Sequence, residues 1–104
     1  MINPKLYTVS YTCIDNKAYL VIEYDKTATS YEIYRNDELL TTLKLEELDE
    51  PFMFLRFPRN KLLNCKMYVD DTVKKFNTYE YKVRAVYENN KYSDYSNIKY
   101  VKCE

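Results

Sequence analysis

Two consecutive aspartates, Asp70-Asp71, are the most suggestive chemical pair in this chain. Adjacent carboxylates can hold calcium or share acid and base roles. Neighbours on a strand point to opposite faces, however, so this pair is expected to be structural rather than a shared site. Glu46, Glu47, Asp49 and Glu50 form a second acidic group. It lacks the spaced ligands and the glycine of a calcium loop, and is expected to be a solvated face. Cys13, Cys65 and Cys103 are too far apart for a CxxC pair that would hold zinc, a cluster or a redox disulfide. They are expected as small, mostly buried hydrophobes in a reducing compartment, with one structural disulfide as the alternative. Cys13 and Cys103 fall in terminal strands that need not be neighbours, so even their pairing is not implied.

The chain has no His and no Gly. That removes the commonest general base, the commonest zinc ligand and every glycine-rich phosphate cradle. An enzyme would need a metal at Asp70 and Asp71 or a reactive Cys65. The expectation is therefore no catalytic residue, no cofactor and no metal.

The elements that would position these groups follow from composition. At 104 residues there is room for one domain, spanning 1–104. Lys plus Arg (16) cancels Asp plus Glu (16), so no basic excess exists to neutralise phosphates, and nucleic acid is not an expected partner. With 46% hydrophobic residues and 13 Tyr the chain is too apolar and aromatic for disorder. No apolar run approaches the ~18 residues of a membrane span, and Met1-Ile2-Asn3-Pro4-Lys5 leads into no export signal.

Residues 6 to 13 alternate bulky and small or polar side chains, which predicts a first strand. Ala18 to Tyr24 places Leu20, Ile22 and Tyr24 on one face of a second. Tyr31 to Arg35, with Tyr31 and Ile33 inward, stops at Asn36-Asp37, a dipeptide that favours a tight hairpin into Glu38 to Lys44. Residues 45–64 break the rhythm, and Pro51 and Pro58 limit any helix there to about one turn, which predicts an irregular insertion. Cys65, Met67 and Val69 resume the alternation. Tyr79 to Val86 is the clearest strand, with Tyr79, Tyr81, Val83 and Ala85 facing one way. Asn89-Asn90-Lys91 predicts a turn in which Asn takes the positive φ, and Tyr92 to Lys102 the last strand. About seven short strands with no convincing helix predict an all-β antiparallel sandwich.

Val73, Asn77 to Val86 and Asn89 to Asn97 together resemble the carboxy-terminal half of a fibronectin type III domain of the immunoglobulin-like superfamily. In that family a Leu or Val six residues ahead of a Tyr opens this signature, and the Tyr hydroxyl bonds back to the chain. The resemblance therefore implies a tyrosine corner at Tyr79 with Val73. It also implies an Asp placed for turn structure at Asp70-Asp71. In the front half, Tyr24 would take the place of the family's core Trp. Lys75 and Phe76 replace the family's Pro and Gly.

The resemblance implies a non-catalytic interaction or structural module. Similar sandwiches decorate bacteriophage capsids and tails, and a short chain with its own Met and no export signal fits a virion component made in the cytoplasm, with capsid or tail proteins as partners. The alternative is an extracellular spacer or binding domain of a secreted bacterial polysaccharide-degrading enzyme or adhesin. Two surfaces are candidates for contact. Phe52, Met53, Phe54, Leu55 and Phe57 either plug the core or form an exposed partner patch. Tyr34, Tyr87, Tyr92, Tyr95 and Tyr100 lie outside the inward set and could form an adhesive face, since Tyr gives large contact area at low entropy cost. Aromatic platforms of that kind also bind sugars, although nothing in the sequence singles out carbohydrate.

Overall fold

The computed structural model describes residues 2–51 and 64–104. Among these residues the strands are β1 (Lys5–Thr8), β2 (Ala18–Glu23), β3 (Ser30–Arg35), β4 (Glu38–Leu43), β5 (Cys65–Asp70), β6 (Asn77–Tyr87), β7 (Lys91–Tyr92) and β8 (Lys99–Cys103). One sheet has the order β1-β2-β5. The other has the order β4-β3-β6, with β7 and β8 both on the far edge of β6. All strand pairings are antiparallel.

Period-two alternation decides which side chains meet between the sheets. Leu6, Leu20 and Ile22 of the smaller sheet pack against Tyr31, Ile33, Tyr81, Val83, Ala85 and Val101 of the larger, and all of these are buried. Val73 and Tyr79 join the same core. Tyr24, one residue past the end of β2, is only half-buried and packs against this core rather than within it. Val21, Cys65 and Met67 form a second apolar cluster on the outer side of the smaller sheet, so β2 is buried on both faces.

The turns show how a chain without glycine reverses. Asp15-Asn16, Asn36-Asp37 and Asn89-Asn90 all take positive φ, a region that the short polar Asn and Asp tolerate best among non-glycine residues. Asn36-Asp37 is the whole link between β3 and β4, with φ of 53° and 65°. Two positive φ values in a two-residue link are the signature of the hairpin turn that matches strand twist. After β4, Leu45–Glu47 makes one turn of 3-10 helix. The remainder of the expected insertion, including Phe52, Met53, Phe54, Leu55 and Phe57, lies outside the described residues.

Three expectations need correction. Residues 6 to 13 are not one strand: β1 ends at Thr8, and the chain then crosses to the larger sheet, where Thr12 bridges Lys102 in parallel. That crossing brings Cys13 beside β8, with its N–H bonded to Lys102 O at 3.0 Å. Cys13 and Cys103 accordingly form a disulfide with a Cα–Cα distance of 4.9 Å, while Cys65 is buried and outside it. The reading of three separate thiols fails because alternation along a strand cannot reveal a change of sheet.

The last strand is also divided. Between β7 and β8, the N–H groups of Ala85 and Val83 reach not backbone carbonyls but the hydroxyl oxygens of Ser93 (2.8 Å) and Ser96 (3.0 Å). Each hydroxyl in turn donates to the carbonyl of the following residue. The two buried serines thus satisfy ladder donors through their side chains, so the chain from Tyr92 to Lys102 forms two strands where alternation predicts one.

Candidate functional site

Asp70 is fully buried, whereas Asp71 is exposed, so the two carboxylates do not share a site. Asp70 Oδ2 accepts from Tyr81 OH (2.6 Å) and Arg35 Nη1 (3.0 Å), and Oδ1 from the Thr72 hydroxyl (2.6 Å) and N–H (3.0 Å). Burial alone would raise its pKa, but the bonds from Thr72, Tyr81 and Arg35 outweigh it and hold the carboxyl below its ordinary value. Burial first, and then the hydrogen bond to Asp70 and its charge, push the Tyr81 phenol far up, against the opposing charge of Arg35. Every oxygen is occupied, and the arrangement fits a structural anchor that ties β5 to β3 and β6. Nearby, the Tyr79 hydroxyl accepts from Lys74 N–H at 2.8 Å, closing the turn that follows Val73. Among the described residues no group of three or more Cys, Asp or Glu is placed to hold a metal, and no helix is long and apolar enough to cross a membrane.

Surface chemistry concentrates instead on the outer face of the larger sheet. Arg84 projects there from β6, and its Nε bonds Glu32 Oε1 on β3 at 2.6 Å. Three rings surround its guanidinium: Tyr92 at 4.0 Å, Tyr95 at 5.1 Å and Tyr34 at 5.7 Å to the ring centres. Lys82, two residues along β6, lies 4.3 Å over Tyr95 and bonds Asp37 at 2.7 Å. Tyr34 and Tyr95 meet edge to face at 5.2 Å. Burial, with hydrogen bonding to Tyr95 and Glu32, pushes the Tyr34 phenol up to about 12. Both cations already have carboxylate partners, so their part is to fix the rings. Tyr92 and Tyr95 remain 41% and 42% exposed and form a preordered aromatic platform.

The other outward tyrosines do not join it. Tyr87 packs against the core, with its hydroxyl on Asp25 and Ile2. Tyr100 stands exposed on β8. What sequence reasoning missed is a groove beside the platform, of about 480 Å³, in which Asn3, Lys5 and Tyr7 line one side and Tyr95, Asn97 and Lys99 the other. It exists because residues 93–98 leave the ladder and run beside β1. Asn97 spans the seam, its Oδ1 accepting from Leu6 N–H and its Nδ2 donating to Leu6 O, both at 2.9 Å.

A three-stranded sheet β1-β2-β5 facing a larger sheet ordered β4-β3-β6 with β7 and β8 defines an immunoglobulin-like sandwich. Within that class the fold is fibronectin type III-like. An Fn3-like protein from Clostridium thermocellum superposes with a TM-score of 0.66 at 18% identity, covering 99% of this chain and 93% of that one. The fibronectin(III)-like modules of CbhA from the same organism give 0.60 at 9% identity, covering 97% and 95%. Pectate lyase Pel3 from Pectobacterium carotovorum gives 0.65 at 20% identity over 95% of this chain, which spans only 26% of the lyase. No family model matches the chain, and no curated protein matches it in sequence.

Proposed function

We propose that this chain is a non-catalytic accessory module of the kind that accompanies polysaccharide-degrading domains outside the cell, acting through the outer face of its larger sheet. The observation that carries this is the pattern of coverage. The same fold accounts for nearly all of a bacterial Fn3-like protein but for only 26% of a pectate lyase, as a unit recurring beside other domains would. The Cys13–Cys103 disulfide supports an oxidising compartment. The buried carboxylate that drew attention in the sequence is consumed by structure, and the exposed chemistry is aromatic and polar, suited to contact. Decoration of a bacteriophage-like particle has no support among these neighbours.

The test is to mix the purified chain with insoluble plant cell-wall material and with soluble pectate. Retention in the pellet without release of new reducing ends is expected. Polymer cleavage that survives repeated purification would overturn the non-catalytic reading, and failure to sediment with any wall polysaccharide would overturn the accessory one.

A further inference from the structure

We infer that the groove between β1 and residues 93–99 is a subsite for an acidic oligosaccharide, a short run of uronate residues. The inference rests on the accessory-module reading above and names its ligand.

The chain as a whole is neutral, with 16 cations and 16 anions, yet the charged residues lining this groove are cations alone. Lys5 and Lys99 line it from opposite sides, and its lining includes no carboxylate. Neither lysine enters an ion pair among the described residues, in contrast to Lys82 and Arg84 next door. The carboxylates beside it are bonded to neutral groups of the lining: Asp94 is held to Asn3 by hydrogen bonds through its N–H and Oδ2, and Glu23, the register partner of Lys5, accepts from the Tyr7 hydroxyl at 3.1 Å. An anion entering the groove meets two ammonium groups that no ion pair among the described residues holds.

The remaining chemistry selects the kind of anion. Tyr95 belongs to both the groove and the platform, and the edge of Tyr34, the Lys82 ammonium and the Arg84 guanidinium hold its ring in place. Such a ring can cover a flat apolar sugar face without first paying ordering entropy. The side chains of Asn3, Ser96 and Asn97 on its rim are already bonded to Asp94, Val83 and Leu6 and give the groove a fixed polar edge. The volume, about 480 Å³, lies within the ~300–1,000 Å³ of small-molecule clefts. Carboxylates spaced along a chain of sugar rings match both the lysines and the ring. A neutral sugar leaves the lysines idle, and an acidic peptide leaves the ring face without a matched partner.

The experiment is a titration of the full chain, followed by amide NMR, with tetragalacturonate, a neutral cellotetraose and hexaglutamate as probes. Expected are shifts confined to residues 3–7 and 94–99 with tetragalacturonate, affinity that falls as salt rises, and at least about tenfold weaker binding in a K5Q/K99Q variant. A Y95A variant should also lose affinity while the thermal midpoint of K5Q/K99Q stays that of the wild type. Equal binding of cellotetraose, equal binding of hexaglutamate, or full affinity in K5Q/K99Q would each overturn the proposal. So would no binding of tetragalacturonate. The two readings fail separately: wall retention that is undiminished in K5Q/K99Q overturns the groove but leaves the module, whereas loss of all wall retention overturns the module.

Discussion

The side-chain amide of Asn97 pairs with the backbone of Leu6 as a strand residue would, one bond in each direction at 2.9 Å. In this way a single side chain satisfies an edge of β1 and fastens the smaller sheet to the segment that interrupts the last strand of the larger. Replacing Asn97 with Ala leaves both Leu6 groups without that partner, and with a net value near 1 kcal/mol per bond it should cost about 2 kcal/mol. Urea unfolding measures the loss. Faster amide exchange at Leu6, with exchange at Tyr81 and Val83 changed only by the global amount, would locate it at the seam.

The Cys13–Cys103 bond closes a loop with a sequence separation of 90. Chain-entropy reasoning puts its contribution at about 4.5 kcal/mol. Cys13→Ser with Cys103→Ser should therefore lower the thermal midpoint sharply, and reducing agent should do the same to the wild type but not to the double variant. Cys65→Ser changes a buried side chain outside the bond, so its effect should not depend on the reductant.

Asp70 has its carboxyl pKa held below the ordinary value, so the folded state favours the charged form. Its contribution is present in full above the unfolded pKa, near ~4, and is lost as pH falls through the lower folded value. Wild-type stability in urea should decline as pH drops below about 4. Asp70→Asn should be less stable at neutral pH by about 3 kcal/mol, since it leaves Arg35 without its counter-charge and puts an NH2 donor where one of the two acceptor oxygens stood. It should also lose part of the acid dependence. A parallel decline in variant and wild type would place the titrating group elsewhere.

Phe76 combines a φ of 70° with 90% exposure. Among the described residues every other positive-φ position carries Asn or Asp. A bulky side chain in the left-handed region costs about 1–2 kcal/mol, and this ring recovers little of it by burial. Phe76→Asn should stabilise the domain by about 0.5–1 kcal/mol, read as a higher denaturant midpoint with an unchanged slope. A loss of stability would mean that the ring packs better than its exposure indicates.

Much of the fold was legible in the residues. Alternation in Tyr79, Tyr81, Val83 and Ala85 and in Leu20 and Ile22 marks inward faces, because a strand has only two sides. Asn36-Asp37 and Asn89-Asn90 mark reversals, because few other residues tolerate positive φ. The candidate site was less legible. Outward tyrosines were visible as a set, but alternation says only that a ring leaves the core, not which rings meet. Tyr34, Tyr92 and Tyr95 converge on Arg84 because β3, β6 and the segment after β7 are adjacent, while Tyr87 and Tyr100 go elsewhere.

From its local pattern alone, then, this chain determined an all-β sandwich, its turns and most of its core, all of which follow from backbone periodicity and the conformational limits of single residues. Tertiary structure decided the rest: the crossing that pairs Cys13 with Cys103, the serines that replace ladder carbonyls, the burial of Asp70 apart from Asp71, and the groove holding Lys5 opposite Lys99. Each of these joins residues distant in the chain, and which of them become neighbours is set by how the two sheets align and where a strand leaves one for the other. Short-range sequence does not encode that information.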